Sequence, residues 1–402
     1  MIYLDNAATS WPKPPAVLQA VQDMLVNGGN AGRGSHSLAL RSAEIVFECR
    51  ENLAALFNIE NPLRICFTSN ATESLNLALK GWLKPGDHVV CSGMEHNSVW
   101  RPLTRLQSEG VEFSIALADA EGRVSAESVL RELRPNTRMV AVLHASNVNG
   151  AINPIGEIGE LTSRLRIPFL VDASQTAGCV PIDVEAMHID LLAFPGHKGL
   201  LGPQGTGGLY VRQTCELTPL KEGGTGSDSK SPLQPEYVPD RYESGTLNTL
   251  GIAGLSAGVS FLRNEGVEKI REREQLLTDV LIRGLQEIPG VRVYAPQRAE
   301  HRTAVISFAM EDRDPVTVAH DLEERFGIAC RAGLHCACLA HRSLGTEDTG
   351  TVRFSLGVFS TQTDVDAAIE AVRVLAQEPV ATKKEDCRLH GNVRRDSYRR
   401  RM

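Results

Sequence analysis

Apolar positions in this chain follow two periods. Short, nearly unbroken apolar runs at residues 64–69, 88–92, 139–145, 167–171, 191–194 and 208–211 read as strands buried on both faces. Segments 16–25, 38–57 and 251–287 repeat apolar residues at helical spacing instead. Residues 27–36 are glycine-rich and irregular, and the loop 222–229 is rich in glycine and serine. From residue 64 strands alternate with helices, which predicts an α/β fold with a mostly parallel sheet covered by helices. Past residue 290 the order changes, with strands expected at 291–294, 304–308 and 351–355 and helices at 315–326 and 363–376. The expected division is a large domain over residues 1–255, a smaller C-terminal α+β domain over 256–378, and a basic, disordered tail over 379–402.

Polar residues recur where the strands end. Asn70-Ala71-Thr72-Glu73 follows the first run as a helix-capping pattern, Glu95-His96-Asn97 follows the second, and Ser146-Asn147 the third. Asp172, Ser174 and Gln175 follow the fourth, and His197-Lys198 follows the fifth. In a parallel sheet the strand C-termini share one edge, so these groups converge where α/β proteins bind ligands. The free N–H groups at the helix start by Thr72 suit a phosphate. Each residue also has a plainer reading. Thr72 and Glu73 cap a helix, His96 is a loop histidine, Asp172 forms a turn, and Asn147 and Gln175 tie loops together. Lys198, too, is either a surface lysine beside a tight turn or a partly desolvated amine able to attack a carbonyl.

Composition narrows the partners. The 402 residues carry a formal net charge of −7, with 42% hydrophobic and 23% charged residues. That balance is ordinary for a globular protein and gives no reason to expect nucleic acid. No apolar stretch is long enough to span a membrane, and Met1-Ile2-Tyr3-Leu4-Asp5 lacks the order of a signal peptide, so a cytoplasmic protein is expected. The nine cysteines show no disulfide spacing. Cys66, Cys91 and Cys179 sit in apolar runs and read as core residues, whereas Cys336 and Cys338 lie in a polar setting that suggests chemistry. The run His335-Cys336-Ala337-Cys338 with His341 lacks a C-x-x-C knuckle, so no metal is expected.

Together these residues resemble the pyridoxal phosphate (PLP) enzymes of the class V aminotransferase family, and within it the cysteine desulfurases and selenocysteine lyases. The resemblance spans nearly the whole chain except the tail. It rests on Tyr3-Leu4-Asp5-Asn6-Ala7-Ala8, Glu95-His96, Val171-Asp172-Ala173-Ser174-Gln175, Gly196-His197-Lys198, Glu243-Ser244-Gly245-Thr246 and Arg331-Ala332-Gly333-Leu334-His335-Cys336-Ala337.

The resemblance implies fold type I of the PLP-dependent transferases and a homodimer. Lys198 would hold PLP as an imine and move protons on the substrate carbon. Asp172 would pair with the pyridine nitrogen and keep it protonated. His96 would stack on the ring as a candidate acid/base, Gln175 would bond the ring hydroxyl, and Asn147 would lie near the ring. Thr72, His197 and, across the dimer interface, Thr246 would hold the phosphate. Arg353, with Asn147 and Arg331, would bind the substrate carboxylate through a planar fork. Cys336, on a compact loop, would take sulfur from L-cysteine as a persulfide, leaving alanine, and pass it to an acceptor protein of the kind that serves iron–sulfur cluster assembly. L-selenocysteine is the rival substrate, and a PLP-binding sulfur-carrier scaffold without turnover is the rival class. Two departures stand out: Pro195 replaces the hydroxyl residue usual before Gly196, and Phe359 and Ser360 replace a usual Tyr and Asn.

Overall fold

Strand-forming runs too apolar to face water stack side by side at the centre of the molecule, which is a computed structural model describing residues 1–32 and 34–379. The chain opens with β1 (Ile2–Tyr3), α1 (Pro15–Asn27) and α2 (Ser37–Phe57). It then alternates through β2 (Ile65–Thr68), α3 (Ala71–Trp82), β3 (His88–Ser92), α4 (Asn97–Gln107), β4 (Glu112–Ala116), α5 (Ala126–Glu132), β5 (Thr137–Leu143), α6 (Ile155–Leu165), β6 (Phe169–Asp172), β7 (Leu191–Pro195) and β8 (Gly207–Val211).

These strands form a seven-stranded sheet in the order β2-β8-β7-β6-β5-β3-β4. Only β8 runs antiparallel to its neighbours. A parallel return needs a crossover of roughly a dozen residues or more, usually helical. The loop 196–206 between β7 and β8 holds no helix, so β8 turns straight back. The five strands β2, β3, β5, β6 and β7 therefore point one way, as the alternation predicts.

After β8 come α7 (Thr249–Glu265) and α8 (Val267–Gln286). The single helical region expected over 251–287 is thus two helices. Gly266 separates them at φ +85°, a conformation that glycine adopts without the penalty a Cβ carries. The expected boundary at residue 255 falls inside α7, which packs on α1 and α2. The chain continues through β9 (Val291–Tyr294), β10 (Val305–Met310), α9 (Pro315–Phe326), β11 (Ile328–Ala329), β12 (Arg331–Gly333), α10 (Cys338–Leu344), β13 (Thr351–Ser355) and α11 (Gln362–Gln377).

Strands β12, β13, β10 and β9 form an antiparallel sheet in that order. Its core gathers Leu281, Leu285, Ile306, Phe308, Leu322, Phe354 and Val372 from β10, β13 and the helices α8, α9 and α11. Leu4 joins this core, and β1 pairs in parallel with β11, so the first residues belong to the C-terminal layer rather than to the large sheet. A two-residue strand cannot stand alone, and this pairing is what orders it. No helix among the described residues is long and apolar enough to cross a membrane. The segment expected as a tail lies, from residue 380 onward, outside the described residues.

One buried carboxyl in α8 makes stability depend on pH. Glu274 is 6% exposed, and burial pushes its carboxyl up to about 8, with Arg273 and Arg271 opposing only in part. An unfolded glutamate titrates near ~4.3, so between these values the folded chain keeps a proton that the unfolded chain has released. The neutral carboxyl's contribution is complete at acid pH and is lost as pH rises toward 8, by at most ~1.4 kcal/mol per pH unit. Glu274→Gln, uncharged throughout, is expected to raise the Tm at pH 8 more than at pH 5, which thermal unfolding at the two pH values checks.

Candidate active site

The C-terminal ends of β2, β3, β5, β6 and β7 surround a cleft enclosing about 680 Å³ of empty space. Thr72, His96, Asn147, Asp172, Gln175, His197 and Lys198 all line it, so the structure brings together seven of the residues singled out in the sequence. Pro195 lines it as well.

Asp172 is the last residue of β6. Its Oδ1 accepts from the Ser174 N–H at 2.9 Å and from the Ser174 hydroxyl, which fixes the carboxylate's orientation. Lys198 sits in the turn after β7. Ser10 donates from its hydroxyl to the Lys198 carbonyl at 2.8 Å and from its N–H to the His197 carbonyl, so the N-terminal segment clamps this loop. Gly199 is required there, because a Cβ would come within 2.4 Å of the Ala177 carbonyl oxygen. Burial lowers the Lys198 amine to about 8; Asp172 counteracts this, and Arg353 and Arg331 reinforce it. At neutral pH roughly a tenth of the amine is therefore unprotonated and nucleophilic.

His96 caps α4: its Nδ1 accepts from the Ser98 N–H at 3.1 Å. Burial holds its pKa down at about 4, so the ring is neutral with its proton on Nε2. Thr72 lies in the first turn of α3, whose N-cap Asn70 accepts from Glu73 N–H at 3.0 Å, as the capping pattern predicts. Its hydroxyl lies 2.7 Å from that of Ser98. Asn147 donates to the His335 carbonyl at 2.7 Å and leaves Oδ1 buried without a partner. Gln175 donates to the Ala7 carbonyl at 3.1 Å. His197, held down at about 4 by burial, leaves Nδ1 buried and unpartnered. Glu95, fully buried, is pushed up to about 8 by burial and accepts from the Leu143 N–H at 2.9 Å, tying the end of β3 to β5.

Four expected site residues, Cys336, Arg331, Arg353 and Thr246, lie outside this cleft. Cys336 is exposed on the turn between β12 and α10, with φ +57° following His335 at +49°. The Arg331 guanidinium reaches to 3.7 Å of its sulfur, and its carbonyl accepts from Asn97 N–H at 2.8 Å. Cys336 opens on a second cleft that shares Thr72, His96 and Ser98 with the first. Arg353, in β13, is 1% exposed; it donates to the Asn147 carbonyl at 3.0 Å and pairs with Asp5 at 2.7 Å, leaving Nε buried and unpartnered. Thr246 lines a separate cleft with Asn30, Arg50 and Glu243.

Sequence reading passed over Ser98 and Ser10, and it placed Ser174 and Asp5 in motifs without giving either a role. Their roles come from contacts made by ordinary-looking polar residues, and for Asp5 the partner lies 348 positions away. His335 and His341 lie with ring centroids 5.4 Å apart, each bonded to a threonine hydroxyl. Among the described residues no group of three or more His, Cys, Asp or Glu could hold a metal ion.

The cleft is thus lined by a carboxylate, by hydroxyls and a helix N-terminus, and by an amine of lowered pKa. The Aminotransferase class-V family profile matches residues 2–368. The chain belongs to the class-V aminotransferase family. It is 35% identical over 382 residues to a probable cysteine desulfurase of Methanothermobacter thermautotrophicus, covering 93% of this chain and 94% of that protein. It resembles the apo cysteine desulfurase of Thermococcus onnurineus with a TM-score of 0.87 at 32% identity, over 93% of this chain and 94% of that one. The cysteine desulfurase CsdA of Escherichia coli matches with a TM-score of 0.84 at 30% identity, over 92% and 93%. These class-V likenesses confirm fold type I as the architecture.

The depressed amine can be measured directly. Reductive methylation of Lys198 by formaldehyde and cyanoborohydride is expected to rise with a midpoint near pH 8, below that of exposed lysines, as read by peptide mass spectrometry across a pH series.

Proposed function

We propose that this protein is a PLP-dependent cysteine desulfurase that converts L-cysteine to L-alanine and holds the sulfur on Cys336. The observation carrying this reading is that Cys336, exposed beside Arg331, opens on a cleft sharing Thr72, His96 and Ser98 with the pocket that holds Lys198.

The pocket suits PLP. Asn147 Oδ1 and His197 Nδ1 are buried polar atoms without protein partners, and an amine, a carboxylate and a helix N-terminus face one space. Lys198 would hold the aldehyde end, Asp172 the pyridine nitrogen, and Thr72, His197 and the start of α3 the phosphate. His96 would cover the ring and Gln175 would bond its hydroxyl. Bound there, the cofactor supplies an electron sink for bonds made and broken at the amino acid's carbons.

The chain's own groups supply the rest. The Lys198 amine, neutral in part at pH 7, takes the proton from the substrate Cα and returns it later. Arg353, with its Nε unpartnered, and the Asn147 amide would orient the substrate carboxylate. The Cys336 thiolate attacks the substrate sulfur: a sulfur–sulfur bond forms, the Cβ–S bond breaks, and its electron pair stays with the carbon skeleton. The guanidinium of Arg331 sits beside the sulfur that attacks. Protonation of the carbon then gives alanine.

A homodimer would complete the site. Leu18, Leu25, Val26, Leu38, Leu40 and Phe47 of α1 and α2 are exposed apolar side chains, the sort of face that a second subunit covers. Thr246 lies outside its own chain's pocket, as a residue serving the partner's phosphate would. Work in the cytoplasm and delivery to an acceptor protein complete the reading.

Two measurements test it. Wild type incubated with PLP and L-cysteine is expected to release alanine, whereas Cys336→Ala should lose at least about 100-fold of that rate while keeping the bound-cofactor absorbance. Undiminished alanine from the variant would refute Cys336 as nucleophile, and faster turnover of L-selenocysteine by both proteins would favour a selenocysteine lyase. Thr246→Ala is expected to weaken PLP binding by about tenfold, read by cofactor titration, since one hydrogen bond to a charged group contributes ~1.5 kcal/mol.

A further inference from the structure

The cleft below Cys336 carries a charge pattern that the desulfurase chemistry does not use. It encloses about 760 Å³ between α3 and α4, and its charged wall consists of Lys80, Arg101 and Arg105, with no aspartate or glutamate among the lining residues. Arg105 pairs with Glu109 at 2.9 Å, both largely exposed, but among the described residues neither Lys80 nor Arg101 takes part in an ion pair. Arg331 adds a fourth cation at the sulfur itself. The whole chain carries a net charge of −7, so this concentration of positive charge, only Arg105 of it paired, runs against the surface average.

We propose that this cleft selects the sulfur acceptor by charge, and that its occupant is a protein segment whose nucleophilic cysteine is flanked by aspartate or glutamate. The inference rests on the desulfurase reading and extends it to the second half of the reaction. Arg101 and Arg105 stand one helical turn apart on α4, and Lys80 faces them from α3. Cations spaced in this way match carboxylates on successive residues of a chain, whereas a small thiol with one carboxylate would engage only one of them. The transfer itself balances without any further reagent. The acceptor thiolate attacks the outer sulfur of the Cys336 persulfide, that sulfur–sulfur bond breaks, and Cys336 leaves as a thiolate beside Arg331. One persulfide is lost and one is formed.

The test uses holoenzyme loaded by a single turnover of L-cysteine, with excess substrate removed and the alanine counted. Persulfide discharge is followed by mass spectrometry with two peptide probes, Asp-Glu-Cys-Glu-Asp and its neutral isostere Asn-Gln-Cys-Gln-Asn. Flanking carboxylates raise a thiol's pKa and reduce its thiolate fraction, so intrinsic reactivity favours the neutral peptide. The acidic peptide is nevertheless expected to discharge the enzyme about tenfold faster at low salt, an advantage that falls toward unity in about 0.5 M sodium chloride. Lys80→Glu and Arg101→Glu, each at the surface and remote from Lys198 in sequence, should remove the advantage while leaving first-turnover alanine unchanged, and Arg101→Gln should reduce it by an intermediate amount. Equal rates for the two peptides, or an advantage that survives both charge reversals, would overturn the proposal. Absence of alanine in the first turnover would instead overturn the desulfurase reading, and this inference with it.

Discussion

A single buried ion pair holds the site together. Arg353 of the C-terminal sheet pairs with Asp5 of the N-terminal turn and donates to the carbonyl of Asn147, which stands past the end of β5 in the large sheet. Three parts of the chain meet on one guanidinium that is 1% exposed. Such a pair contributes little net stability over an apolar replacement, yet losing the partly exposed Asp5 carboxylate strands the sealed guanidinium, at a cost of about 3–5 kcal/mol. Its value lies in position. The same turn that supplies Asp5 continues into Ala7, whose carbonyl receives Gln175, and Ser10, whose hydroxyl holds the Lys198 loop. The N-terminus is thereby a strap across the pocket, and the two layers cannot slide without breaking it.

Burial is the second constraint, and it acts on several groups in the same direction. Lys198, His96 and His197 all lose their protons more easily than they would in water, and Glu95 keeps its proton longer. The low dielectric of the cleft suppresses every charge that lacks a close partner. The outcome is a pocket of neutral histidines and a partly neutral amine around Asp172, which is held by two donors from Ser174.

Cys336 stands apart from this dry interior. Two consecutive residues in left-handed conformation, His335 and Cys336, lift the sulfur into solvent, and the strain is held by Asn147 on the His335 carbonyl and by Asn97 on the Cys336 carbonyl. Both asparagines follow strands of the large sheet, so the loop of the C-terminal layer is aimed by the layer that carries the pocket.

The sequence by itself determined the periodicity, and with it the parallel sheet, the shared edge of strand ends and the seven polar residues gathered there. These were legible because strand direction follows from alternation with helices, and because a polar residue directly after an apolar run has its location set within a few ångströms. Its motifs also identified the family. Only the tertiary structure decided that α7 and α8 part at Gly266, that β1 belongs to the C-terminal layer, that Arg353 is sealed by Asp5, and that Thr246 lies away from its own chain's pocket. The same holds for the cationic wall formed by Lys80, Arg101 and Arg105. Contacts of this kind join residues far apart in the chain, and no local pattern of hydrophobicity or turn chemistry encodes which distant partner a given aspartate or arginine will meet.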